Sequence, residues 1–247
     1  MTKRGMKELS DSMSEDDSIR QLVRKRASSP RKSERTRRAI LDAALDFLWT
    51  HPFRDLTVAE LASRTETSRA TFYQYFADLH DLMDVLLSEM ENDILVAAAP
   101  WFEGNTDPAS LLRESLSGLV KICYQRGPIL RAVADAAASD QTLEKNWTKF
   151  LQRFDDAVTE RIEQQQAAGL IPPFAARSVA VALNRLDASL MIETFGRRPR
   201  GNQDQVLASL VRIWISTLYG AQALQQSVAS PQKRKIKKKS VSQNKGE

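Results

Sequence analysis

Only one cysteine and two histidines occur in the 247 residues. A lone Cys123 excludes an internal disulfide framework, and its place in the apolar run LVKICY marks a buried, inert thiol. With only His51 and His80 available, no His-Glu pair stands at metal-binding spacing. A Gly-rich phosphate loop and a nucleophile elbow are also missing. We therefore expect no catalytic residue, metal or cofactor, and a protein that is not an enzyme. Glycine is scarce, at nine residues, which argues against an all-β chain. No apolar run reaches membrane-spanning length, and the opening MTKRGMKELSDSMSEDD has no apolar stretch of signal-peptide type. The expectation is a cytoplasmic protein with no membrane partner.

What is present is unevenly charged. Residues 1–38 hold 12 Lys and Arg against 6 Asp and Glu, and residues 231–247 hold 7 against Glu247 alone. The stretch between them holds 17 basic and 24 acidic residues. Basic ends on an acidic body suit a chain that touches a polyanion with its extremities, or one kept soluble by charged tails. Residues 1–32 and 229–247 are polar, lack apolar periodicity and read as a disordered basic arm and a disordered basic tail.

Between the tails the periodicity is helical. Ala39, Ile40, Ala43, Ala44, Phe47 and Leu48 recur at spacings of three and four, and so do Leu82, Leu86, Met90 and Ile94. No alternating strand pattern of useful length is found. Prolines punctuate the pattern, because proline disfavours helix interiors. Taken as stops, they predict an all-α protein of nine helices, at about 34–49, 57–64, 68–75, 79–98, 108–125, 128–138, 141–168, 175–196 and 203–226.

The most specific stretch is LTVAELASRTETSRATFYQYF, residues 56–76. Thr57 with Glu60 three residues on forms a capping box, and Ser68 caps a second short helix. Phe72 and Phe76, four apart, share its inner side. Arg69, Ala70, Thr71, Tyr73, Gln74 and Tyr75 are left for the outer side, a set suited to phosphates and base edges. Arg31, Lys32 and Arg35, just upstream, can reach phosphates or the minor groove beside such a helix.

These residues resemble the TetR family of bacterial transcriptional regulators. RTRRAILDAALDFL, LTVAELA, TSRATFYQYF and ADLHDLMDVLL look like its first four helices, over about 55 residues. The resemblance implies a helix-turn-helix DNA-binding domain at 33–78 and a ligand-binding and dimerisation domain at 79–228. Two positions depart from the family. Glu66 stands where Gly is usual, implying a turn that needs no positive φ, or local strain. Leu79 stands where a phosphate-contacting Lys is usual, so that contact is not expected. His80 beside it is either a phosphate contact or exposed filler.

In the last helix, Val206, Leu210, Val211, Ile213, Trp214, Ile215 and Leu218 cover most of the circumference. Such a helix is a central core helix, or packs on its own domain with one side and on a second subunit with the other. The family resemblance implies a dimer contact on the last two helices, so a homodimer on a near-palindromic double-stranded operator is expected. The helix before it carries two stripes, Val179, Leu183, Leu186 and Leu190, and Ala180, Asn184, Asp187 and Met191. In an apolar cavity Asn184 and Asp187 could hydrogen-bond a ligand. The C-terminal end is similar to a mycobacterial branch of the family in which the matching positions line an apolar ligand tunnel. That similarity implies ligand contacts for Trp147, Phe154, Asn184, Asp187 and Trp214; Met191 joins them by sharing the stripe of Asn184 and Asp187, with Leu112 and Leu119 on the wall. Asp187 replaces an amide there, so the ligand's identity does not transfer. The expected function is a repressor released from its operator by a small apolar ligand. A regulator without that switch, an activator, and a non-specific architectural DNA binder are the alternatives.

Overall fold

The computed structural model describes residues 32–229; Arg31, most of the basic arm and the C-terminal tail lie outside them. Eight α-helices and one 3-10 turn make up the described chain, with no strand among the described residues. The helices are α1 (32–48), α2 (Val58–Arg64), α3 (Arg69–Tyr73), α4 (Leu79–Glu103), α5 (Pro108–Ala137), α6 (Gln141–Ala167), α7 (Ala176–Phe195) and α8 (Gln203–Ala229). Side-chain caps open most of them: Thr57, Ser68, Asp78, Asp107 and Asp140 each accept from an amide in the first turn that follows. Such caps satisfy donors that the helix itself leaves free. The chain forms two compact units. One holds the residues up to Ala44 with Thr57–Ala77, and the other Leu45–Leu56 with the chain from Asp78 on.

The first unit closes over Ile40, Leu41, Ala44, Leu61, Phe72 and Phe76, all buried. After α2 the chain reverses in a Schellman turn. The Glu66 amide donates to the Ser63 carbonyl (3.3 Å) and the Thr67 amide to that of Ala62 (2.9 Å). Glu66 sits between them at φ 52°, in the left-handed region. The turn therefore does require positive φ, and this chain meets it with a strained glutamate.

Two prolines do not stop their helices, and one of them leaves the second unit with one helix fewer than the predicted pattern. Pro128 lies inside α5, which joins the expected helices at 108–125 and 128–138. A proline leaves the carbonyl four residues back without its amide partner. That carbonyl, Tyr124 O, accepts from Arg200 Nη1 at 2.7 Å. Pro100 lies inside α4, which runs to Glu103 rather than ending near 98. Beside it the Trp101 amide donates to Ser115 Oγ, and Ser115 Oγ donates to the Ala98 carbonyl, both at 3.2 Å. In α8 the helical backbone breaks at Gly220, with φ 81° and ψ 167°.

Arg131, 5% exposed, ties three carbonyls together inside this unit. Nη2 donates to Leu48 O (2.5 Å) and His51 O (3.2 Å), and Nε donates to Gly196 O (2.9 Å). Leu48 ends α1 and Gly196 caps the end of α7, so a cation meets two helix C-termini, where the dipole favours it. The apolar surplus of α8 is consumed within the unit: Val206, Leu210, Val211, Trp214, Ile215 and Leu218 are all buried in a single chain.

Two stability predictions result. Glu66→Gly relieves the left-handed strain and should raise stability by up to about 1 kcal/mol in denaturant melts; an unchanged or lowered midpoint would contradict the strain. Arg131→Met leaves three carbonyls without a donor and should cost about 3 kcal/mol in the same assay; a cost within the range of a surface substitution would show the clasp to be idle.

Candidate functional site

In the first unit the outer face of α3 carries most of the residues expected to meet DNA. Phe72 is fully buried, and its neighbour Tyr73 is 58% exposed. Ser68, Arg69, Ala70 and Gln74 are exposed, as are Thr57, Arg35 and Lys32, whereas Thr71 and Tyr75 are half-buried. The helical stretch is shorter than expected, five residues, because the chain turns after Tyr73 with the Tyr75 and Phe76 amides both donating to Phe72 O. Thr71 Oγ1 is engaged with Ser68 Oγ at 2.9 Å and its amide with the same oxygen at 3.1 Å. Thr71 therefore braces the start of α3, leaving Tyr73, Arg69 and Gln74 as its freest long side chains.

His80 is neither filler nor a free surface cation. Its Nε2 hydrogen-bonds Asp140 Oδ2 at 2.6 Å, and its ring meets the Phe53 ring edge-on at 5.7 Å. The bond holds the Asp140 carboxyl below its usual range.

The second unit encloses a half-open cavity of about 90 Å³ between α4, α5, α6, α7 and α8. Seven of the eight residues expected around a ligand line it: Leu112, Leu119, Phe154, Asn184, Asp187, Met191 and Trp214. The eighth, Trp147, does not. It stacks on Phe150 at 5.5 Å from one turn away, and Phe150 takes the wall position instead. Trp101 and Phe102, beyond Pro100, complete the aromatic wall and were missed by the sequence reading, which ended α4 before them. Leu130, beyond Pro128, also faces the cavity.

The polar groups are arranged pairwise. Asn184 Nδ2 donates to Asp155 Oδ1 at 2.9 Å, and Arg185 grips both Asp155 oxygens at 3.2 and 2.9 Å. Asp155 is 2% exposed, so this pairing holds a buried carboxylate between α6 and α7. Asp187 Oδ1 accepts from Trp214 Nε1 at 2.9 Å, and its second oxygen has no hydrogen-bond partner among the described residues. Burial pushes the Asp187 carboxyl up to about 7, with the Trp214 bond pulling the other way. Burial, and then the Asp187 charge, push the Cys123 thiol up as well, which keeps it protonated and inert. Trp101 Nε1 donates to Tyr219 Oη, which in turn donates to Gln165 Oε1, both at 2.7 Å. The Trp101 and Trp214 rings meet edge-to-face at 5.9 Å.

One chain thus carries a capped helix-turn-helix and a helical unit with an apolar cavity, and sequence comparison gives the class of protein. Residues 40–85 match the family described as bacterial regulatory proteins, tetR family, and residues 112–220 match the one described as transcriptional regulator EthR, C-terminal domain. The chain belongs to the TetR family of transcriptional regulators. It is similar to the HTH-type transcriptional regulator EthR of Mycobacterium tuberculosis, 27% identical over 186 residues, covering 74% of this chain and 86% of that one. EthR of Mycolicibacterium smegmatis is also 27% identical, over 190 residues, with 74% and 85% covered. Among solved structures, a regulatory protein of the tetR family from Rhodococcus RHA1 superposes with a TM-score of 0.61 at 16% identity, covering 74% of this chain and 96% of that one. AibR, solved in complex with isovaleryl coenzyme A and operator DNA, superposes with a TM-score of 0.58 at 15% identity, covering 75% and 98%. These structures share the fold. No described helix is long and apolar enough to cross a membrane.

The Asp187 environment generates a pH prediction. Folded Asp187 keeps its proton to about 7, whereas an unfolded aspartate loses it near about 3.9. Between those values the folded state binds the extra proton, so this group's contribution falls as the pH rises from about 4 to about 7. Asp187→Asn removes that slope, and its stability gain over the parent should be larger near about pH 8 than near about pH 4, by up to about 4 kcal/mol. Equal gains at both pH values in thermal melts would contradict a raised carboxyl.

Proposed function

We propose that the chain is a homodimeric, sequence-specific repressor that a small apolar ligand releases from its operator. The observation that carries this reading is the pairing of features in one chain: α3 turns Phe72 inward and Tyr73, Arg69 and Gln74 outward, and the helical unit keeps an open cavity. A cavity packed solid by its own side chains would favour a regulator with no small-molecule switch. AibR, which has the same fold, has been solved with both an acyl coenzyme A and operator DNA, which supports a ligand-and-operator reading here.

Two copies would each set α3 into a major groove of a near-palindromic site, with Arg35 and Lys32 near phosphates and Thr57, at the start of α2, beside the backbone. The dimer is assigned to α7 and α8. Their outward faces carry small and apolar residues: Ala182, Ser189 and half-buried Val179, Leu186 and Leu190 on α7, and Ala208, Ser209, Ser216 and Thr217 on α8. Small side chains let two helix pairs approach closely, and a two-fold contact is the commonest way for one chain to meet another. The ligand acts by binding more tightly to a state that fits the operator poorly, since only differential affinity moves such an equilibrium.

Genomic footprinting of the native protein yields the operator and with it the test. Tyr73→Ala should weaken binding to that operator by about 1–3 kcal/mol at fixed salt, with the dimer unchanged in sedimentation. An unchanged dissociation constant would remove α3 from the major groove. Footprints with no shared sequence would favour the architectural alternative instead.

A further inference from the structure

Two lining side chains keep polar capacity for a ligand: Asn184, whose Oδ1 has no partner among the described residues, and Asp187. Ser115 both accepts and donates within the backbone of α4. Asn184 gives its amide hydrogen to Asp155. Asp187 is the one charged side chain on the lining, and its second oxygen takes nothing from the protein. No cation answers it. Trp214 of α8 bonds it, and the other lining side chains of α4 and α6, Trp101, Phe102, Phe150 and Phe154 among them, carry no charge. From α5 the only titratable neighbour is the Cys123 thiol, and on its own helix the nearby Arg185 is committed to Asp155. A carboxylate in apolar surroundings either stays protonated or acquires a partner of opposite charge. The aromatic walls favour the second: the faces of tryptophan and phenylalanine attract an ammonium group, most strongly when water is excluded.

We infer that the cavity takes an organic cation, an apolar body bearing a protonated amine whose charge is met by Asp187 and whose chain lies against Trp101, Trp214 and the phenylalanines. This rests on the reading of the cavity as the regulatory ligand site, and it names the chemistry of that ligand. Binding would proceed with loss of the carboxyl proton: the neutral acid and the ammonium ion become a carboxylate–ammonium pair plus a released proton. The opposite chemistry is a neutral ligand whose carbonyl accepts from protonated Asp187. The two differ in sign, because the first tightens as the pH rises through about 7 and the second weakens.

The test is calorimetric titration of the full chain with n-alkylamines and with the n-alkanols of the same chain lengths, near about pH 6 and about pH 8. The amines should bind roughly ten- to hundred-fold tighter than the alkanols, and more tightly at the higher pH, with close to one proton released near about pH 6 and few near about pH 8. Asp187→Asn should collapse that difference while sparing alkanol binding, since an amide still accepts from Trp214 Nε1; a thermal melt checks that it folds. Alkanols binding as tightly as amines, amine affinity rising at the lower pH, or an unaltered amine preference in Asp187→Asn would each overturn the cation. Failure of amines and alkanols alike, in protein that still binds operator, would overturn the ligand-site reading as well.

Discussion

Pro100 takes one hydrogen bond out of α4 and Pro128 one out of α5; Arg200 takes up the carbonyl that Pro128 frees, and Ser115 bonds the backbone on either side of Pro100. The cavity depends on this repair. Ser115, reaching from α5, holds the Trp101 amide and the Ala98 carbonyl of α4. Arg200, from the segment between α7 and α8, holds the Tyr124 carbonyl and lies over the Tyr124 ring at 3.7 Å. Without these contacts each helix would be expected to end at its proline. Trp101, Phe102 and Leu130 all lie past the prolines, and all three face the cavity.

What the repaired helices enclose is chemically lopsided. Most of the wall is aliphatic or aromatic, and the polar atoms it contains are nearly all satisfied internally. Asp187 is the one charged side chain on that wall among the described residues, and the fold gives up stability near neutral pH to keep it there. Strain and unsatisfied polar groups are tolerated mainly where function needs them. The second such case is Glu66 at φ 52°, in the turn that aims α3. Each unit thus carries one local cost at the place where a partner is proposed to bind.

The motif at 57–76 was readable because its signals are local. A threonine cap, a serine cap and two phenylalanines four apart depend on neighbours within a turn or two, and the structure places each of them as expected, although the Glu60 carboxylate pairs with Arg64 instead of closing the capping box on Thr57. Asn184, Asp187 and Met191 were readable as one stripe because helical period alone puts them on a common face. What could not be read was non-local. Proline looks the same in sequence whether or not a distant Ser115 or Arg200 repairs the break, so α4 was ended too early and α5 was split. Trp147 was assigned to the wall by resemblance, but which aromatic of α6 faces inward depends on how that helix is rotated, and Phe150 has the place. The partner of Asn184 lies 29 residues away on α6, beyond the reach of any spacing rule.

Linkage between the two sites is the centre of this account, and one measurement reaches it directly. The tightest binder among the amines and alkanols should be titrated into the free protein and into protein saturated with its operator. Coupling free energy is reciprocal, so a ligand that releases the operator must bind the operator complex more weakly, by the same factor by which it weakens operator affinity. The account predicts that weaker affinity. Equal affinity for the free and operator-bound protein would contradict it, because a ligand indifferent to the operator cannot release it.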